Sequence, residues 1–517
     1  MPTFGKIRRR PGKHRKNLMK VSGQYSMLQE ISLIELLKKA QNTKFGKYYR
    51  FKEVLNTENI IDTFRTTVPI CEYETIYKDW WHRLLEGENN VCWPGRVNYF
   101  ALTSGTSNDS SKRVPVTGEM ISAMRKTAFR QLLVLGEFTL PADLFQKSLL
   151  MLGGSTALVR KKGYFEGDLS GILAKKMPKW AFKFYKPGLR IAGERNWQVK
   201  LERITRRARR WDVLGVAGTP SWIQMMLEKI VDYYDLKNIH ELWPDLMAYS
   251  WGGVSIEPYR GSFERLMGKP VCYLETYLAS EGFLAYQPRI YGNMQLVVDN
   301  GIFFEFIPFN SKNFHPDGSM NENPQVLLLS EVEAGVDYAI LISTCAGAWR
   351  YMIGDTIRFL DTERYEMIIS GRTRHTLNLC GEHLSVDNMN MAIKWLSQEF
   401  NMVINEYTVA GIKHNNYFAH KWYIGIKHGE IPDTKKVRQK LDRKLMDLND
   451  DYRTERSAAL KEIFVELLPV SAFYEFLRQK GKEGGQNKFP RVINHLKDEW
   501  DLFLDKVRPS IRKGLKI

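Results

Sequence analysis

ALTSGTSNDSSKRVPVT, residues Ala101–Thr117, is the stretch that decides how this chain is read. Hydroxyl side chains crowd between a short apolar segment and a proline-containing return, with Gly105 and Lys112 among them. Small hydroxyls, backbone N–H groups and a lysine at one turn are what an anion needs, phosphate above all. A solvated loop is the plain alternative. Its flanks favour the anion. VNYFAL before it has the pattern of a strand, and GEMISAMRKTAFRQLLVLGEF after it that of an amphipathic helix. A loop that runs from a strand into a helix is where phosphate is held. The loop lacks G-K-[ST], so it is not a Walker nucleotide site.

Outward from this loop the chain alternates. Tyr25–Ala40 predicts a helix with Met27, Leu28, Ile31, Ile34 and Leu37 on its buried face. DVLGVAGTPSWIQMMLEKIVDYY reads as strand, turn and helix, with Thr219 as cap, Pro220 in the first helical position and Ile223, Met226, Leu227, Ile230, Val231 and Tyr234 as the buried stripe. LMAYSWGGV and PVCYLETYLASEG predict buried strands, and QLVVDNGIFFEFIP a hairpin turning at Asp299–Gly301. DYAILIST and DTIRFL are further strands. From about Ser385 helices and alternating strands form a separate α+β pattern. The chain divides accordingly into a basic arm (1–20), a large domain (21–380) and a small one (381–517), with the boundary in Thr376–Asp387.

The bulk numbers exclude more than they choose. At 517 residues, 44% apolar and 26% charged, the chain is an ordinary globular protein of more than one domain. No apolar run approaches the roughly 20 residues that span a bilayer, and the basic N-terminus lacks the apolar core of a secretory signal. Five scattered cysteines without a C-x-x-C point to reduced thiols and a cytoplasmic location. Zinc-type Cys/His clusters are missing. The net charge of +18 admits a nucleic acid, an anionic membrane surface or a polyanionic small substrate; part of it lies in KIRRRPGKHRK, Lys6–Lys16. No zinc-finger or RNP-type signature supports nucleic acid.

Three segments become meaningful together: Thr103–Lys112, YLASEG at Tyr277–Gly282, and WRYMIGDTIRF at Trp349–Phe359 with SGRTRHTLNLCGEHLS after it. Adenylation of a carboxylate needs a cradle for a triphosphate, a carboxylate for Mg²⁺, an acidic acceptor for the ribose diol and a cation for charge building on the α-phosphate. The segments offer Ser104, Gly105, Thr106 and Ser107 for phosphate, Ser280 and Glu281 at a strand end with Glu281 for Mg²⁺, Asp355 for ribose, and Lys112 with Arg372 as cations. Tyr277 is a candidate for stacking on the adenine or lining the pocket.

The ordered set resembles the Gretchen Hagen (GH3) family of acyl acid amido synthetases, within the adenylate-forming superfamily of acyl-CoA synthetases and luciferases. LLKKAQNTKFGKYYRF, WPGRVNYFALTSGTSNDSSKRVPVT, AGTPSWIQMMLEKI, WGGVSIEPY, YLASEGFLAYQ, FFEFIP, GAWRYMIGDTIRF and GGQNKFPRV stand in family order over roughly 450 residues. The resemblance implies an α/β fold: a large N-terminal α/β domain with a β-barrel and a smaller C-terminal α+β domain. It implies ATP and Mg²⁺ as cofactors, and a small carboxylic acid and an amino acid or other amine as partners. The acid is adenylated with release of pyrophosphate, the amine then displaces AMP, and the C-terminal domain moves between the two steps. It also implies Lys488 as a late-arriving lysine on the α-phosphate, and Arg125 and Arg130, on the helix after the loop, as contacts for the acid. The chain is expected to act as a monomer, without nucleic acid and without a membrane span. An acyl-CoA synthetase, a basic nucleic-acid-binding protein and a relative that binds nucleotide without turnover are the alternatives. Asn108-Asp109 departs from relatives that carry glycine nearby; an aspartate beside phosphate repels it unless it points away or binds metal.

Overall fold

The computed structural model describes residues 22–103, 112–137, 146–252, 256, 260–315, 318–373, 376–377, 379–380, 382, 384–415, 417–428, 432–479, 489, 491–493 and 497–514. The basic arm, Ser104–Ser107 and Lys488 lie outside them. The described residues form two compact units, one of 22–103 with 112–373, the other after Thr373.

An eleven-stranded sheet dominates the first unit. From edge to edge it runs Ile302–Pro308, Asp337–Thr344, Tyr351–Asp361, Glu366–Arg372, Met294–Leu296, Gly282–Tyr286, Cys272–Ala279, Ala248–Gly252, Val213–Gly218, Ser148–Leu152 and Tyr185–Lys186. The last five strands are mutually parallel and the rest antiparallel, so the pairing changes sense at the Cys272–Ala279/Gly282–Tyr286 turn. Parallel strands need crossovers, and Pro220–Tyr234 is one of them: Pro220 opens it, and Ile223, Met226, Leu227 and Ile230 are buried as the spacing predicts.

The antiparallel half is strongly rolled. Tyr277 and Asp355 sit on strands four places apart, about 19 Å in a flat sheet, yet their side chains share a 2.7 Å hydrogen bond. A Cβ on Gly282 would meet Ile302 Cδ1 at 2.8 Å from the far side of the same half. Inside the roll and under the N-terminal helices lies the main core, with Trp81, Trp93 and Trp349 almost fully buried beside Phe45, Phe51 and Phe64. Within it Arg350 donates to both carboxylate oxygens of Glu305, 2.9 Å each, and to the carbonyls of Arg65 (2.6 Å) and Val68 (2.8 Å). A four-stranded sheet, ordered Lys112–Val116, Tyr99–Thr103, Phe165–Gly167 and Val159–Arg160, carries the opening motif, with Thr103 opposite Lys112.

Two expectations change. QLVVDNGIFFEFIP is not a hairpin: Met294–Leu296 pairs with Gly282–Tyr286 and Glu366–Arg372, while Ile302–Pro308 pairs with Asp337–Thr344. The turn is real, with Gly301 at φ +74°, but it carries the chain across the roll instead of back along it. The first helix, Ser22–Ala40, buries Gln29, Ser32, Leu33, Leu36, Leu37 and Ala40, leaving Met27 and Ile31 exposed. Gln29 explains the rotation. Its amide donates to the carbonyls of Val298 (2.8 Å) and Ile302 (3.0 Å), and its oxygen accepts Phe304 N–H at 2.7 Å, satisfying strand-edge groups that an apolar face would leave unpaired.

The second unit has a sheet ordered Val403–His414, Tyr417–His428 and Leu460–Pro469, with helices Val386–Glu399 and Thr434–Leu448. Val437, Leu441 and Leu445 are buried on the latter, at the i, i+4, i+8 spacing of one helix face. Trp500 packs among Phe473, Phe476, Phe489 and Phe503 in an aromatic core.

Candidate active site

The switch from parallel to antiparallel pairing places a turn at the carboxyl end of the last parallel strand, the usual place for a ligand in α/β sheets. Ser280 and Glu281 form that turn, and Tyr277 stands just before it. The roll of the sheet brings strand Tyr351–Asp361 against it. Tyr351 and Asp355 lie on that strand on either side of an irregularity in its pairing, and both interact with Glu281. Asp355 is in register with Arg372 on the next strand, so their side chains are cross-strand neighbours. Gly354 fixes the approach: at φ +94° it adopts a conformation that other residues resist, and its carbonyl accepts the Thr373 N–H at 2.8 Å.

The result is a connected polar network. The Tyr277 hydroxyl donates to Asp355 Oδ2 at 2.7 Å, and Arg372 Nε meets Oδ1 at 2.7 Å. Tyr277 and Asp355 are buried and Arg372 is partly exposed. Among the described residues Tyr277 takes one oxygen of Asp355 and Arg372 the other, and a carboxylate has about four lone-pair positions, so acceptor capacity remains. Burial, then the Asp355 charge, pushes the Tyr277 hydroxyl well above its ordinary range, which keeps it a donor. Asp355 is the main cause that raises Arg372.

Glu281 is buried beside this network. Burial raises its pKa above the ordinary carboxylate value and Asp355 adds to the rise, while Lys112 and Arg372 oppose it. Burial also pushes the Tyr351 hydroxyl far up, with Glu281 as the next cause. Lys112 Nζ stands 5.0 Å from the Tyr73 ring centroid, and the Tyr73 hydroxyl accepts the Arg113 N–H at 2.8 Å. Burial lifts Tyr73 to about 12.

Of the residues expected from sequence, Tyr277, Glu281, Asp355, Arg372 and Lys112 thus fall in one electrostatic neighbourhood, and Ser280 precedes Glu281 in the turn. Ser104, Gly105, Thr106, Ser107 and Lys488 lie outside the described residues. Arg130 is held by both oxygens of Asp299, at 2.6 and 2.5 Å, and Arg125 donates to the Lys176 carbonyl. Tyr73 and Tyr351 were not anticipated. The signal for Tyr351 was its place in the same short motif as Asp355; Tyr73 reaches the site only through tertiary packing.

Among the described residues no group of three or more His, Cys, Asp or Glu side chains is placed to hold a metal ion alone. The donor set still suits Mg²⁺, which takes one or two protein carboxylates and completes its shell with phosphate and water. Glu281 and Asp355 are two buried carboxylates, and Asp355 disfavours the charged form of Glu281, a situation a cation relieves.

The sequence matches three models: the GH3 family N-terminal domain over residues 14–198, the GH3 family central domain over 295–369 and the GH3 family C-terminal domain over 387–497. Among solved structures, a GH3.15 acyl acid amido synthetase aligns with a TM-score of 0.56 at 16% identity, covering 95% of this chain and 94% of that one. AtGH3.15 acyl acid amido synthetase in complex with 2,4-DB gives 0.56 at 16% identity, over 93% of each chain. A 2-hydroxyisobutyryl-CoA ligase in complex with 2-HIB-AMP and CoA gives 0.55 at 12% identity, over 96% of this chain and 93% of that one. At such identities the likeness is one of fold. None of the curated proteins matches the sequence.

Proposed function

We propose that this chain, which belongs to the GH3 family, is an ATP-dependent acyl acid amido synthetase. The observation that carries the reading is the Tyr277–Asp355–Arg372 network beside Glu281 and Lys112 at the sheet's switch point. The fold shared with a GH3.15 acyl acid amido synthetase supports it.

In the first step a carboxylate oxygen of the acid attacks the α-phosphorus of ATP. A bond to phosphorus forms, the bond to pyrophosphate breaks, and an acyl-adenylate results. In the second an amino acid amine attacks the acyl carbon; the C–N bond forms, AMP leaves, and the nitrogen gives up a proton. Asp355, oriented by Tyr277 and Arg372, accepts from the ribose diol. Arg372 and Lys112 set positive charge where phosphate charge builds, in a partly desolvated site where it counts most. Mg²⁺, held by Glu281, would supply charge neutralisation to the phosphates. Ser104, Gly105, Thr106 and Ser107 cradle the phosphates and Lys488 approaches the α-phosphate. Burial of the site limits hydrolysis of the mixed anhydride. Arg125 and Arg130 are the cations for the acid, and Arg130 reaches a substrate carboxylate only by giving up Asp299. The domains 21–380 and 381–517 belong to the same proposal, with a hinge between them, as do a cytoplasmic location and a monomeric state.

The test is turnover with ATP, Mg²⁺, a panel of aromatic and aliphatic acids, and all common amino acids, read as AMP, pyrophosphate and the mass of any conjugate. A conjugate with AMP is the expected result. Because the fold is shared almost equally with a 2-hydroxyisobutyryl-CoA ligase, CoA belongs in the acceptor panel; a thioester in place of an amide would replace this reading. AMP without any acyl product, or no turnover at all, would overturn it.

A further inference from the structure

The positive charge is concentrated. Between Val159 and Asp212 sixteen lysines and arginines stand against five acidic residues, a net +11 of the chain's +18. These residues form strand Val159–Arg160 at the edge of the four-stranded sheet, helices Leu169–Lys175, Leu189–Ala192 and Trp197–Arg207, and 3-10 turns Lys179–Lys183 and Ala208–Arg210, a segment of the first unit. Ala174, Tyr185 and Ala192, with Met177 and Phe182 packed against them, form its inner core. Thr156 Oγ1 donates to the Leu189 carbonyl at 3.1 Å and Ser155 Oγ to that of Gly193 at 3.0 Å.

The exposed residues of this segment are mainly cationic. Helix Trp197–Arg207 turns Leu201, Ile204 and Thr205 inward, while Arg203, Arg206, Arg207 and Arg210 share the i, i+3, i+4, i+7 spacing of one exposed stripe. Lys175, Lys176, Lys179, Lys183 and Arg190 are exposed as well. The few acids are already engaged: Glu166 meets Lys161 at 3.3 Å, Glu194 meets Arg203 at 2.9 Å, Glu202 pairs with Arg206, and Asp212 with Lys147. Trp180, between Lys179 and Lys183, is 61% exposed, and Val159 and Leu189 are each more than a third exposed.

A single-strand groove stacks successive bases on several aromatic side chains, and Trp180 is the one exposed large aromatic among the described residues of this segment. Lysine and arginine beside tryptophan and aliphatic side chains suit the headgroup region of a bilayer. We propose that the exposed cations of this segment and Trp180 form one face that docks the protein on anionic phospholipid surfaces, with Trp180 entering the interface and the cations on lipid phosphate and carboxylate. The contact is peripheral, since among the described residues no helix is long and apolar enough to cross a membrane.

The test is co-sedimentation of the full chain with phosphatidylcholine vesicles, with and without about 30% phosphatidylserine. The expected result is binding to the anionic vesicles at least about tenfold tighter than to neutral ones, and lost near 1 M salt. K179E/K183E and R207E/R210E should each weaken binding about tenfold or more, W180A should weaken it without changing its salt dependence, and all three should keep the parental Tm. The same reversals on the arm, R8E/R9E/R10E, should have the smaller effect. Equal sedimentation with neutral and anionic vesicles would overturn the proposal, as would binding that follows the arm alone. So would variants that abolish single-stranded or duplex DNA binding while vesicles are not bound. None of these readouts depends on turnover.

Discussion

Asp355→Asn is the substitution that bears most directly on the site. The amide keeps the shape of the carboxylate and removes its charge. In the protein one Asp355 oxygen accepts the Tyr277 hydroxyl at 2.7 Å and the other meets Arg372 Nε at 2.7 Å. The change therefore weakens the hold on Arg372 and replaces a charged acceptor for the ribose diol with a neutral one. A hydrogen bond to a charged group contributes about 1.5–3 kcal/mol, and about 1.4 kcal/mol is tenfold in an equilibrium constant. The expected outcome is a rise of about 10- to 150-fold in the KM for ATP, with a smaller change in the KM for the acid. Tyr277→Phe removes one bond to that carboxylate but acts on ATP only through the orientation of Asp355, and should raise the KM for ATP less, about fivefold. The assay is initial pyrophosphate release across ATP concentrations at saturating acid, with equilibrium ATP binding measured in parallel. Thermal unfolding shows whether either variant has lost its fold. If Asp355→Asn leaves ATP dependence within about twofold but lowers Tm, Asp355 merely ties Tyr277 to Arg372, and its assignment to the nucleotide is wrong.

Other outcomes follow from the same physics. Arg350→Met leaves the buried Glu305 carboxylate with only the longer Arg65 contact, at 3.5 Å, and should cost about 3–5 kcal/mol in urea unfolding, whereas R350M/E305L should recover most of it; equal losses would show that the pair itself stabilises. Burial alone would raise Glu382, but the hydrogen bond and charge of His420, with the N–H groups of Cys380 and Leu379, hold it below the ordinary carboxylate value. Its contribution to stability is thus full above the unfolded pKa, about 4.3, and is lost as pH falls through the folded value. Glu382→Gln should flatten that acid limb of stability, and an unchanged limb would place its origin elsewhere. Glu281 is shifted the other way. The folded site favours its protonated form, so that contribution is present at low pH and lost as pH rises through the raised pKa. Metal-dependent activity should accordingly appear only above the ordinary carboxylate range, and Glu281→Gln should lose both this limb and the Mg²⁺ dependence.

Local pattern made much of this protein legible in advance. Val213–Gly218 and Pro220–Tyr234 have their ends marked by Thr219 and Pro220 and their faces by apolar spacing, both properties of neighbouring residues. The alternation of strands and helices pointed to an α/β class, and the order of motifs to the family. Arg372 and Asp355 could be named because they fall within short, contiguous motifs.

The failures share one cause, which is distance along the chain. Whether QLVVDNGIFFEFIP closes on itself depends on Asp337–Thr344 and Glu366–Arg372 taking its two strands as partners. The rotation of the first helix depends on Gln29 satisfying groups some 270 residues away, at Val298, Ile302 and Phe304. Periodicity sets which side chains share a face, but not what that face meets. By itself the sequence determined the elements, the class and the residue types of the site. Only the rolled sheet decided that Tyr277, four strands from Asp355, donates to it, and that Tyr73 and Tyr351 flank Lys112 and Glu281. Sheet curvature is the sum of strand twist over every pairing, and no local stretch of sequence holds it.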